Sequence, residues 1–298
     1  MQLFVTIDTE PDCDIAWRRS SPLTFSSVTS GIPKILRPIW DRHDVKPIYY
    51  VSPEVVRDDE CCRVLKSEIM KGAVIGTHLH SEYIEPHISI QDPAGKVSGE
   101  FPCYAHDTRI EHDKIANLTR LIETRLDFKP VWYRAARYGA DLDTIHILKD
   151  LGYKYDSSLT PGINWSSIGG PDHSRAPVQP YWISAHDLYE AAEKDMSTGI
   201  MEYPITITGK RLGALGRILP DSWLFYKWMR PTHMSVWEQK RIIIDLSKTY
   251  ADPVFTLIFH SMEIMINKTP FVRNRLMQRR FVRNLESIVA MFSDSDFV

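Results

Sequence analysis

The sequence predicts an α/β fold built on a mostly parallel sheet. Three observations carry this. Short apolar runs alternate with helical patterns along the whole chain. No internal repeat or linker interrupts the alternation. Polar residues with chemical potential fall at the ends of the apolar runs, where parallel α/β folds assemble their sites.

The elements follow in order. Leu3 to Asp8 reads as the first strand, and a polar loop extends from Thr9 to Ser27. Thr29 or Ser30 caps a helix with Ile32, Ile35, Leu36, Ile39 and Trp40 at helical spacing. Lys46 to Val51 is the second strand. Ser52 and Pro53 open a helix that Gly72 stops. Ala73 to His78 is the third strand. The polar, Pro- and Gly-rich stretch from Ser81 to Asp107 is too long for a plain connection and reads as a functional loop or lid. Ile110 to Leu126 is helical, Val131 to Arg134 a strand, Asp141 to Leu151 a helix ended by Gly152, and Lys154 to Asp156 a short strand. Gly162 to Gln179 is a second long loop. Met201 to Ile205 resembles a strand with Pro204 at an edge or bulge. Ser235 to Lys248 is a helix, Pro253 to Phe259 a strand, and Thr269 to Met291 a final helix. About seven strands suit either a barrel or an open doubly wound sheet.

Composition narrows the class. The chain has 298 residues, 43% apolar and 25% charged, ordinary for a globular protein. We expect one domain, residues 1–298, with two long inserted loops. With 36 Lys and Arg against 38 Asp and Glu, the formal charge is −2. That excludes a whole-protein nucleic-acid footprint. No apolar run approaches the roughly 18 residues of a bilayer span. The first residues read as a strand rather than a secretory signal, so a cytoplasmic location is expected. Four cysteines, two of them adjacent and none in a CxxC, read as reduced structural residues.

The strand ends carry the chemistry. Asp8 closes the first strand, with Glu10 just beyond; His78 and His80 close the third; Arg134, Asp156 and His260 close later ones. A capping Asp or a core His explains any one of these, but not a row of them, because buried charge is costly unless paired or bound to metal. Two histidines at i and i+2 on extended chain face the same side. With one carboxylate they form the ligand set of catalytic zinc, which also suits iron or cobalt. Of Asp8 and Glu10, one can bind metal while the other takes a proton. His260 is placed as a general acid, and Arg134 and Arg137 to orient a carboxylate. Trp165 and the nearby Asp172 lie in the second long loop. Aromatic faces there suit sugar rings or plain packing. Arg273, Arg275, Arg279, Arg280 and Arg283 on the last helix suit an anionic saccharide or lipid-linked diphosphate at a membrane surface, or a solvated face.

Residues 6–12 (Thr-Ile-Asp-Thr-Glu-Pro-Asp), 76–80 (Gly-Thr-His-Leu-His), 133–139 (Tyr-Arg-Ala-Ala-Arg-Tyr-Gly), 152–159, 202–206 and 259–263 (Phe-His-Ser-Met-Glu) come in an order that resembles the NodB-like polysaccharide deacetylases, carbohydrate esterase family four. The branch found in lipopolysaccharide O-antigen gene clusters is the most similar. The resemblance spans residues 3–265. It implies a distorted, incomplete (β/α) barrel with one divalent metal, zinc first, with iron, cobalt or nickel as alternatives. It implies Asp8 as catalytic base, Arg134 as its charge partner, His260 as general acid and His78 as a metal ligand. The family pattern has adjacent acidic residues and a second His four positions after the first. Here Thr9 follows Asp8, and Glu82 holds the later position. The expected ligands are therefore Glu10, His78 and His80, with Glu82 or His87 as replacements for one of them. Tyr138, Asp156, Trp165 and Asp172 are the expected substrate-binding residues. The implied substrate is an N-acetylated saccharide, free or lipid-linked, with peripheral membrane contact and no nucleic acid. Competing readings are hydrolysis of a non-sugar amide or ureide, a glycosidase using Asp8 and Glu10, and a non-catalytic saccharide-binding domain.

Overall fold

A computed structural model describes residues 1–89, 100–105, 107–210 and 226–293. Residues 90–99 and 106 of the expected first long loop lie outside the described residues.

Among the described residues there are ten strands: β1 (Gln2–Thr9), β2 (Ile48–Val51), β3 (Val74–Leu79), β4 (Trp132–Ala135), β5 (Tyr155–Asp156), β6 (Tyr181–Ser184), β7 (Ser197–Glu202), β8 (Ile207–Lys210), β9 (Tyr226–Trp228) and β10 (Val254–His260). Eight form one sheet in the order β10-β1-β2-β3-β4-β5-β7-β6, and β8 and β9 pair separately. Seven strands of the large sheet run parallel; β6 joins β7 antiparallel. The edges β10 and β6 do not pair among the described residues, so the curled sheet is an incomplete barrel. The expected fold class holds, with one strand more in the large sheet than the seven or so read from the sequence. The addition is β6, a short edge strand beside a loop.

Side-chain alternation divides the sheet into two faces. Val5 and Ile7 of β1, Ile75 and Leu79 of β3, and Tyr133 and Ala135 of β4 enter the main core against the helices. The alternate residues Phe4, Ile48, Tyr50, Val74 and Trp132 line the inner face, with Tyr155 and Tyr203. Further along β1, β3 and β4 the same inner rows continue as Thr6 and Asp8, His78, and Arg134. The inner face is thus aromatic at its base and polar at its C-terminal rim.

The helices are α1 (Arg37–His43), α2 (Pro53–Arg57), α3 (Asp59–Met70), α4 (Pro102–Ala105), α5 (Thr108–Leu126), α6 (Leu142–Asp150), α7 (Val236–Thr249) and α8 (Arg275–Ser293). Four boundaries differ from the expectation. A wide helical segment, Ser27–Leu36, precedes α1; it contains Pro33, which lacks the N–H an α-helical bond would use. The helix expected from Ser52 to Gly72 divides at Asp58, which is extended and caps α3 by accepting from the Cys61 N–H at 2.8 Å. The strand expected at Met201–Ile205 is Ser197–Glu202, ending before Pro204. The last helix starts at Arg275 rather than Thr269, because Asn274 caps it by accepting from the Met277 N–H at 2.9 Å.

Candidate metal centre

Register places the site before any side chain is considered. On neighbouring parallel strands Asp8 pairs with His260, and His78 with Arg134. Glu10 follows β1 and His80 follows β3, so four strand ends converge on one rim.

Donor atoms of Glu10, His78 and His80 lie within 4.8 Å of one another, all buried. Glu10 Oε1 is 3.1 Å from His78 Nε2 and 3.2 Å from His80 Nε2. His78 Nδ1 is 2.9 Å from the Arg134 carbonyl oxygen, which can only accept. The Nδ1 proton is therefore committed, and in the neutral ring Nε2 presents a lone pair to a carboxylate oxygen. His80 Nε2 is buried and makes no hydrogen bond among the described residues. Two acceptors facing each other and an orphaned ring nitrogen are the arrangement a cation would satisfy. Burial works against charge here, yet His80, His78 and His260 outweigh it and hold Glu10 well below the usual carboxylate range. Burial likewise opposes charge on His78, but Asp8 and Glu10 raise its pKa above the ordinary value. The residues fit one divalent metal of borderline softness.

Asp8 lies beside this triad. Its Oδ1 accepts from Arg134 Nη1 at 2.8 Å. Arg134 is fully buried, and its other N–H groups donate to Thr6 Oγ1 at 3.0 Å, the Ser157 carbonyl at 2.8 Å and Ser157 Oγ at 2.7 Å. Its guanidinium covers the Tyr50 ring at 4.2 Å. Burial raises the Asp8 pKa, but Arg134, His78 and His260 more than offset that and keep it low. Across the centre, His260 Nε2 is 4.0 Å from Asp8 and 3.9 Å from Glu10. Its Nδ1 lies 3.0 Å from Glu263 Oε1.

The remaining expected residues divide. Tyr138 follows β4 with φ of 63°, next to Arg137 at 54°, two left-handed non-glycine residues in succession. Its ring stacks on Trp165 at 5.8 Å and meets Trp228 at 6.0 Å. Trp165 also donates from Nε1 to Thr160 Oγ1 at 2.9 Å. Asp156 pairs with Tyr133 across β4 and β5. It is fully buried, accepts from Ser158 Oγ at 2.6 Å and meets Glu202. Burial drives both carboxyls upward. Asp156 therefore anchors the segment whose Ser157 holds Arg134. Asp172 is exposed and accepts from the Ser174 N–H at 2.9 Å, a local turn contact. Of the two alternative ligands, Glu82 Oε1 lies 3.5 Å from His80 Nδ1 and accepts from Arg137 at 3.2 Å. His87 is exposed and does not join the cluster.

Four residues of this centre escaped the sequence reading. Arg19 ion-pairs with Glu54, lies 3.7 Å from Glu10, and places Nη2 3.2 Å from His80 Nδ1. Arg230 ion-pairs with Glu263. Within each pair the partners are more than thirty positions apart, so no local pattern announces them. Only Glu263, three residues after His260, had a local signal.

No family model matches the chain, and no curated protein matches it. Solved structures do. A protein described as a polysaccharide deacetylase from Mycobacterium smegmatis superposes with a TM-score of 0.52 at 15% identity, over 99% of this chain and 85% of that one. The 4-alpha-glucanotransferase from Thermococcus litoralis gives 0.52 at 12% identity, over 99% and 38%. Puue allantoinase gives 0.50 at 10% identity, over 97% and 83%. The chain shares the fold of these proteins. At such identities the fold is what the likeness shows.

Proposed function

We propose that the protein is a metal-dependent N-deacetylase of an N-acetylated saccharide, working in lipopolysaccharide O-antigen biosynthesis as one unit over residues 1–298. The observation that carries this reading is the convergence of Glu10, His78 and His80 on one point, with Asp8 and His260 on its flanks. A deacetylase and an allantoinase among the neighbours of this fold support amide hydrolysis. A glucanotransferase shares the fold too, but paired carboxylates alone would leave the two histidines without a task.

Glu10, His78 and His80 would hold the ion. When bound, it supplies Lewis acidity that polarises the amide carbonyl and makes water easier to deprotonate. The protein's own groups do the rest. Asp8, held ionised by Arg134, takes the proton of the attacking water. His260 faces the same space through Nε2, while its Nδ1 lies 3.0 Å from Glu263 Oε1 and 3.1 Å from Arg230 Nη2, which fix the ring's orientation. As the carbonyl carbon gains an oxygen and loses its nitrogen, His260 passes its proton to that nitrogen, and acetate and a free amine depart. Tyr138 and Trp165 offer an aromatic wall for a sugar ring. Zinc is the first choice for the ion. A cytoplasmic setting is part of the proposal, and the four buried, unpaired cysteines support it.

Acetate release from N-acetylated oligosaccharides tests the reading. Asp8→Asn keeps the shape and loses the base, so turnover should fall by about 10²–10⁴ while metal stays bound. Turnover within about twofold of the parent would remove Asp8 from the chemistry.

A further inference from the structure

Away from the centre, one surface is set apart by its composition. Arg273 and the α8 residues Arg275, Arg279, Arg280 and Arg283 are all exposed. At about 100° per residue, positions 275, 276, 279, 280 and 283 share one face of α8. The opposite face buries Phe281, Leu285 and Ile288 in the core. No acidic residue interrupts 273–285. Leu276, in the middle of the arginines, is 77% exposed.

The loop after β1 extends this surface. It exposes Ile15 (51%), Leu23 (39%) and Trp17 (38%). The Trp17 ring lies 5.4 Å from Phe271, just before α8, and Lys268 Nζ is 3.4 Å from Thr24 Oγ1. Trp17 also meets the His260 ring edge-on at 5.2 Å. The loop therefore touches both the segment that leads into α8 and the rim of the metal centre.

Here exposed apolar residues, Leu276, Ile15 and Trp17, accompany the arginines, so the surface offers both charge and apolar area. The headgroup zone of a bilayer takes both components. Guanidinium groups pair with phosphates while leucine, isoleucine and tryptophan enter the acyl boundary. We propose that this surface docks on an anionic bilayer, holding the rim of the centre at headgroup level. The inference goes beyond the hydrolase reading and does not rest on it, since docking is measured without substrate or turnover.

The test is cosedimentation of the full chain with phosphatidylcholine vesicles carrying about one third phosphatidylglycerol. Binding is expected to these vesicles, to weaken as salt rises, and to be absent on phosphatidylcholine alone. Replacing Arg275, Arg279 and Arg280 together by Gln should weaken partition about a hundredfold, at roughly fivefold per arginine. Leu276→Ser should weaken it about tenfold. All four side chains are exposed, so the variants should fold, which circular dichroism checks. Failure to bind at low salt, equal binding to neutral vesicles, or unchanged binding by either variant would overturn the proposal.

Discussion

The His260 imidazole has two sides with different partners. Nε2 faces the metal centre, and Nδ1 faces Glu263, whose carboxylate also accepts the His260 backbone N–H at 3.0 Å and the Thr232 hydroxyl at 2.6 Å. Burial pushes the Glu263 pKa up, but Arg230 and His260 override it and hold the group ionised. Glu263 touches no point at which substrate would sit, so it is a positioning residue. Glu263→Gln keeps the volume and removes the carboxylate that orients the His260 ring and pairs with Arg230. Turnover should fall by about two orders of magnitude with KM little changed. A matching rise in KM, or turnover within about twofold, would speak for a purely structural role. Asp156 teaches the opposite lesson at the same scale. It ends its strand as Asp8 does, yet it is fully enclosed and bound to Ser158, so position at a strand end is not enough without the correct face.

Among the elements, β3 shows how packing beneath the rim supports the chemistry above it. Gly76 lies opposite Tyr50 of β2, and a Cβ at Gly76 would meet the Tyr50 ring at 2.5 Å. Tyr50 is fully buried under the Arg134 guanidinium, which in turn holds Asp8. Gly76→Ala should therefore cost about 1–3 kcal/mol by overpacking. It should also lower turnover more than it lowers stability at the assay temperature. Thermal unfolding and acetate release measure the two; parent-like values in both would show that Tyr50 moves aside freely. Strands of this central group were legible because short, mostly apolar runs such as Ile48–Val51, bounded by turn and helix signals, leave few alternatives. The edge strand β6 and the β8–β9 pair were not. They are short, and antiparallel pairing through irregular registers leaves no clean period in the sequence.

Across the whole molecule, function follows from seven parallel strands sharing one C-terminal rim. Parallel pairing brings together residues as distant in sequence as Asp8 and His260. That is why the alternating pattern and the polar strand ends pointed to a candidate site. The ionic frame around it was not legible. Arg19 with Glu54, and Arg230 with Glu263, meet only once loops close over the rim, and ion pairs between distant positions carry no spacing signal. The central claim is that Glu10, His78 and His80 form one divalent-metal site, and elemental mass spectrometry of the purified protein, dialysed without chelator, tests it most directly. The account predicts about one zinc, iron, cobalt or nickel per chain, lost in His78→Ala. A parent protein that carries no metal and takes up none when zinc is added would contradict it.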